Sequence, residues 1–260
     1  MPHPATIHPH KTGNPVGFKF IELQSVDSTN NYAMAQVHAG LAISGTVFFA
    51  HDQYAGKGQR GKSWIAEPGE NIMMSILLQL QFLSPNRQFE LSACIALACH
   101  DFLRKYLANE TTVKWPNDLY WRDRKAGGIL IENILQGNHW AYAVVGIGIN
   151  INQAHFPEPA KNAVSIRQVT GKTHDTVTLA KELCLFIENR YSRLPSESFN
   201  KLLEEYQAAL YKINQPVQLK KEGKLFNTVI RGVDATGRLL TSDSADGAFD
   251  FGTVEWIIPD

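Results

Sequence analysis

The octapeptide Gly56-Lys57-Gly58-Gln59-Arg60-Gly61-Lys62-Ser63 places three glycines and three cations in one stretch, and its setting limits the fold more than any other segment. It follows an apolar β-type run, Thr46 to Ala50, and satisfies two patterns at once: the dinucleotide fingerprint G-x-G-x-x-G and the phosphate-loop pattern G-x-x-x-x-G-K-[ST]. Both folds need a helix to begin at the loop, because the phosphate sits on that helix's free amides and positive dipole end. Here Trp64 is followed by Pro68-Gly69 and then by Ile72 to Leu80, an apolar run that reads as a buried strand. Neither nucleotide fold fits. What remains is a loop whose glycines let a ligand approach the backbone while Lys57, Arg60 and Lys62 attract an anion.

Four other segments can act with it. In Lys114-Trp115-Pro116-Asn117-Asp118 a lysine ends a strand, proline bends the chain, and an amide and a carboxylate follow that suit a ribose, a phosphate or hydrated Mg2+. Taken alone, it reads equally as an Asn-Asp turn. In Asp123-Arg124-Lys125-Ala126-Gly127-Gly128 a lysine precedes small residues that leave room for a ligand, and such a lysine can neutralise charge on reacting oxygens. Gly146-Ile147-Gly148-Ile149-Asn150 ends an apolar strand with alternate glycines and a polar terminus, and Ser28-Thr29-Asn30 reads first as a helix cap and second as hydroxyls over a ligand.

Composition narrows the class. At 260 residues the chain can hold one large domain and a small one. Lys plus Arg and Asp plus Glu balance at 25 each, so no general basic field draws nucleic acid. No stretch approaches the roughly 18 apolar residues of a membrane span. Cys94, Cys99 and Cys184 lack metal-ligand spacing and read as buried thiols; with no secretory signal at the start, they point to a reducing cytoplasm.

Residues 1–17, with His3, His8 and His10 among prolines, read as a mobile tail. The spacing predicts a strand at Phe20 to Leu23, a helix capped by Asp27 or Ser28 and running to His38, and a long amphipathic helix from Phe89 to Leu107. Strands are expected at Thr112 to Lys114, Gly128 to Asn133 and Ala141 to Asn150, with turns at Asn117-Asp118 and Gly137-Asn138; helices are expected at Thr178 to Arg193 and Phe199 to Leu210. After Tyr211 the texture becomes short β segments, Val217 to Leu219, Leu225 to Val233, Arg238 to Thr241 and Phe249 to Glu255, joined by turns at Asp234 to Gly237 and Ser242 to Gly247. The expected division is therefore a tail, a body over residues 18–211 and a small all-β module over residues 212–260.

Taken together and in order, Ser28-Thr29-Asn30, Gln53 with Gly56 to Trp64, Lys114 to Asp118, Lys125 to Leu130 and Gly146 to Asn150 resemble the biotin-protein ligase family over roughly Phe18 to Trp256. The resemblance implies an α/β (α+β) catalytic domain, class II synthetase-like, with helices on a mixed sheet, and a C-terminal SH3-like β-barrel. It implies that Ser28, Thr29, Gln53, Gly56, Lys57, Lys125 and Gly128 contact biotin, and that Gln59, Arg60, Lys62, Trp64, Lys114, Asn117 and Asn150 serve ATP or the adenylate. Lys125 and Lys57 become the catalytic candidates, and Asp118 the candidate for placing Mg2+. At Gln59 some relatives carry arginine, so this position would hydrogen-bond the intermediate instead of neutralising it.

The implied reaction is formation of biotinyl-5'-AMP from biotin and MgATP, then transfer of biotin to a lysine of a biotin carboxyl carrier domain. The nucleophiles come from the substrates, which agrees with the lack of any Ser-His-Asp or Cys-His set in the sequence. The alternatives are a lipoate or other acyl-protein ligase of the same fold, or a repressor that senses the adenylate. For the last, the segment before Phe18 is too short to hold a helix-turn-helix, and no DNA or membrane partner is expected.

Overall fold

The computed structural model describes residues 13–137, 139–242 and 248–258. In chain order the elements of the body are β1 (Lys19–Leu23), α1 (Thr29–His38), β2 (Thr46–Ala50), β3 (Asn71–Gln79), α2 (Gln88–Leu107), β4 (Thr111–Lys114), β5 (Asp118–Trp121), β6 (Arg124–Gln136), β7 (His139–Asn150), α3 (Ile166–Thr170), α4 (Thr176–Tyr191) and α5 (Phe199–Ala208). Seven strands form one mixed sheet in the order β1-β2-β3-β7-β6-β5-β4, parallel only between β1 and β2. The continuous apolar sequence of β3 follows from its place inside the sheet, with helices over both faces. On one face α2 lays Leu91, Ile95, Phe102 and their neighbours into the main core; on the other, Ala33 of α1 packs with Phe48, Leu77 and Val144.

The second sheet holds β8 (Pro216–Lys221), β9 (Lys224–Val233), β10 (Leu239–Thr241), β11 (Ala248–Phe249) and β12 (Glu255–Ile257), in the order β11-β10-β9-β8-β12. This is the small SH3-like all-β unit expected after Tyr211. It meets the body at Trp115, whose Nε1 donates to the Gly237 carbonyl at 2.8 Å and whose ring lies edge-on to Phe251. Gly237 has φ +91°, and a Cβ there would stand 2.6 Å from the Phe89 ring, so only glycine lets the β9–β10 turn close on α2.

Several expectations are corrected. The body begins before Phe18: Val16 is buried and its N–H donates to Glu188 Oε2 at 2.8 Å, while Gly17 bonds the Gly45 carbonyl. Asp118 opens strand β5 instead of closing a turn, since Leu119 and Tyr120 bury against the core and pair with β4. The short helix α3, with its Ser165–Gln168 capping box, was not expected. Phe249 to Glu255 is not one strand; a turn from Asp250, closed by Thr253 N–H to the Asp250 carbonyl, separates β11 from β12. His3, His8 and His10, Asn138 of the expected turn, and residues 243–247 of the loop after Ser242 lie outside the described residues.

The three cysteines are free and buried, as expected, and burial pushes the thiols of Cys94 and Cys184 up to about 12, so neither is a reactive thiolate. Among the described residues, no helix is long and apolar enough to cross a membrane.

Candidate active site

A cavity of about 600 Å³ lies between the start of α1, the glycine loop, the ends of β4 to β7, and the turn between β11 and β12. The loop is a closed hairpin-like turn, not a helix start. Lys57 and Ser63 form a bridge, the Gly58 N–H donates to the Lys62 carbonyl at 2.7 Å, and the Trp64 N–H donates to the Gly56 carbonyl at 2.9 Å. At this neck a Cβ on Gly56 would lie 2.6 Å from the Trp64 carbonyl oxygen, so the first glycine serves chain closure and does not line the cavity. Lys57, Gln59, Arg60, Lys62 and Trp64 do line it.

One end of the cavity is lined by uncharged polar groups, Ser28, Thr29, Asn30 and Gln53, which are backed by Ser75 and the Glu132 carboxylate. Thr29 donates to Gln53 Oε1 from its backbone N–H at 2.7 Å and from its hydroxyl at 3.1 Å. Ser75 Oγ lies 2.8 Å from Thr29 Oγ1 and 2.6 Å from Asn30 Oδ1, and Asn30 Nδ2 donates to Glu132 Oε2 at 2.7 Å. Ser28 joins Thr29 and Gln53 in the lining; it is the N-cap residue of α1, as expected, but its side chain makes no cap hydrogen bond. Asn30, singled out in sequence only as part of the Ser28-Thr29-Asn30 segment, lines the cavity, while Ser75 and Glu132 stand behind the lining and were not expected. Ser75 sits in an apolar strand, and only its lone hydroxyl among aliphatic neighbours marked it.

The other end gathers cations. β5 and β6 pair Asp118 with Gly128 and Tyr120 with Lys125, and a bulge between Leu119 and Tyr120 lets Lys125 turn back. Its Nζ lies 2.6 Å from Asp118 Oδ1 and 6.0 Å from the centre of the Trp64 ring. Lys57 is held more loosely, 3.8 Å from Glu132 Oε1. Lys114 Nζ lies between the rings of Tyr120, 5.0 Å away, and Trp256, 5.6 Å away. Burial pushes its pKa down to about 8; Lys125 and Lys62 add to the shift, and Asp118 opposes it. The Trp64 ring covers Gly148, where a Cβ would stand 2.5 Å from the indole.

Phe251 of the β11–β12 turn and Trp256 of β12 roof this end, and the Arg60 guanidinium donates to the Gly252 carbonyl, tying the loop to the second sheet. Nothing in the local sequence of Phe249 to Ile257 marked these residues as part of a site, because it is tertiary packing that brings them over it.

Of the expected residues, Ser28, Thr29, Gln53, Lys57, Gln59, Arg60, Lys62, Trp64, Lys114, Asn117, Asp118, Lys125 and Gly128 come together around this one cavity. Asn117 is partly committed, its Nδ2 donating to the Ile129 carbonyl at 2.7 Å. Asn150 does not reach the cavity. It is buried, and its Nδ2 lies 3.2 Å from the carbonyls of both Lys125 and Val164, so it braces the strand carrying Lys125. Among the described residues, no group of three or more His, Cys, Asp or Glu side chains converges as a metal site.

The family model of the biotin/lipoate A/B protein ligase family matches residues 22–150. The bifunctional ligase/repressor BirA of Escherichia coli is 34% identical over 219 residues, covering 84% of this chain and 67% of BirA. The biotin–[acetyl-CoA-carboxylase] ligase of Mycobacterium tuberculosis is 30% identical over 82% of this chain and 79% of its own length. In three dimensions the chain is similar to the Aquifex aeolicus biotin protein ligase solved with biotin and ATP, at a TM-score of 0.74 and 24% identity, covering 93% of this chain and 96% of that one. The cavity lies within the matched fold. On these grounds the chain belongs to the biotin/lipoate A/B protein ligase family.

Proposed function

We propose that this protein is an ATP-dependent ligase that forms biotinyl-5'-AMP and transfers biotin to a lysine of a biotin carboxyl carrier domain. The observation that carries this reading is one cavity with two unlike ends: a neutral hydrogen-bonding end at Thr29 and Gln53, and a cationic end at Lys62, Lys114 and Lys125. The first suits the ureido group of biotin, which needs both donors and acceptors. The second suits the phosphates of ATP.

In the first step a carboxylate oxygen of biotin attacks the α-phosphorus; the new O–P bond forms as the bond to pyrophosphate breaks, and pyrophosphate leaves with the electron pair. Two anions must approach each other, so Lys57 and Lys125 lower the barrier by placing positive charge beside the joining oxygens. Gln59, Arg60, Lys62, Lys114 and Asn117 hold the nucleotide, with Trp64 and Trp256 excluding water. Mg2+ enters with ATP as part of the substrate. Since Lys125 occupies one oxygen of Asp118, this carboxylate would steer the hydrated ion instead of enclosing it.

In the second step a neutral lysine amine of the carrier attacks the acyl carbon. A C–N bond forms, the C–O bond to phosphate breaks, AMP leaves with the electron pair, and the ammonium proton passes to solvent. The body up to residue 211, which takes in Val16, holds the reacting groups, and the module after it roofs them. We place the reaction in the cytoplasm, in keeping with three buried free thiols.

A lipoate ligase would need an apolar pocket where Thr29 and Gln53 stand. A site built to hydrogen-bond its ligand rejects an analogue lacking those groups, because its own polar atoms are left unpaired. Pyrophosphate release with ATP and either biotin, lipoate or octanoate tests the reading. Release with biotin alone is expected, and release with lipoate alone would overturn it.

A further inference from the structure

A second, smaller cavity of about 250 Å³ opens beside the first and shares Gln59, Pro116, Asn117, Ile129 and Phe251 with it, so the two adjoin across a common wall. Its own walls are Gln88 and Ser92 from the first turns of α2, Ile131 and Asn133 from β6, and Thr236 and Gly237 from the β9–β10 turn. Its lining includes no ionisable side chain, whereas four lysines and an arginine face the main cavity. An uncharged cleft is a poor place for a triphosphate or for departing pyrophosphate.

What the cleft does offer is amide chemistry. Asn133 Nδ2 donates to Gln88 Oε1 across it at 3.3 Å, which leaves Gln88 Nε2 as a donor and Asn133 Oδ1 as an acceptor with no partner among the described residues. One donor and one acceptor side by side are what a peptide group requires. The outer end is open: Gln88 and Asn133 are exposed, and Phe251 in the lining, 49% exposed, offers apolar contact.

We propose that this cleft seats the main chain of the acceptor protein beside its target lysine, so that the lysine side chain passes the shared wall at Asn117 and Ile129 into the reaction cavity. This rests on the ligase reading, and it locates the second substrate. It also separates the routes: the acceptor enters over α2 and β6 while the adenylate stays under the loop.

The test uses the full chain with Gln88→Ala and Asn133→Ala combined, and separately with Ser92→Arg, which would fill the cleft. For an apo biotin carrier domain, KM is expected to rise about 10-fold or more, the size of a lost interface contact, with kcat at saturating carrier unchanged. Pyrophosphate release from biotin and MgATP without carrier, and acyl transfer to free lysine methyl ester, are expected to stay at the unsubstituted level, which a merely damaged fold would not allow. An unchanged KM for the carrier overturns the proposal. So does a parallel loss of carrier-independent pyrophosphate release, which would assign the cleft to the nucleotide. If the unsubstituted protein released no pyrophosphate with biotin, the ligase reading itself would fail, and this proposal with it.

Discussion

The ammonium of Lys125 and the carboxylate of Asp118 lie 2.6 Å apart across the β5–β6 pair, at the wall where an acyl and a phosphoryl group would meet. The pair aims the lysine, and the side chains are 35% and 20% exposed, so the pair itself adds little stability. Lys125→Ala is therefore expected to leave the thermal midpoint nearly unchanged while removing about 2–4 kcal/mol of transition-state stabilisation, the scale of one lost preorganised contact. Biotin-dependent pyrophosphate release and a melting curve on the same sample separate the two effects; unchanged release would remove Lys125 from the mechanism.

Gly148 permits Trp64 to lie flat over the sheet. A Cβ would stand 2.5 Å from the indole, and the ring cannot recede without carrying the end of the loop with it. Gly148→Ala is expected to fold, since its neighbours in β3 and β6 are unaffected, but to raise KM for biotin by about 10-fold or more through a displaced loop, an effect of a 1.4 kcal/mol or greater loss. Biotin titration in the pyrophosphate assay reads this directly.

Lys114 carries the pH dependence. With its pKa pushed down to about 8 from an ordinary value of 10.5, it is a cation below about 8 and neutral above. Between those two values the native protein binds fewer protons than the unfolded chain, so this residue's contribution to stability rises with pH over that window. Attraction for phosphate goes the other way: kcat/KM for ATP is expected to fall as pH passes about 8, and Lys114→Arg, permanently charged, is expected to abolish that limb. A limb of the same position in the arginine variant would assign it to another group.

Arg60 ties the loop to the second sheet through the Gly252 carbonyl. Arg60→Ala is expected to speed limited proteolysis within Gly56 to Lys62, and a biotinyl-adenylate analogue is expected to slow cleavage in both forms, since binding orders a glycine-rich segment. Equal cleavage rates with and without the analogue would contradict this.

The sequence made the main sheet and its helices legible where one physical signal dominated. β2 and the long helix α2 were read to within a residue because unbroken apolar runs and a helical stripe leave few alternatives. β5 was hidden because Asn117-Asp118 is a strong turn signal, and the packing of Leu119 and Tyr120 against α2 and Tyr211 outweighed it. In the site, the lysines and glycines stood out because their types are chemically loud. Glu132, Ser75 and the Phe251–Trp256 roof were silent, since their roles come from partners distant in sequence: Glu132 from Asn30 and Lys57, and Trp256 from Lys114. Asn150 shows the converse, a polar strand end that looked free and is consumed by two backbone carbonyls.

The most direct measurement is the intact mass of an apo biotin carrier domain after incubation with this protein, MgATP and biotin. One added biotin, mapped by fragmentation to a single lysine and absent when ATP is omitted, is the expected result. An unmodified carrier under conditions where an established ligase modifies it, or an added lipoyl group when both acids are supplied, would contradict the assignment.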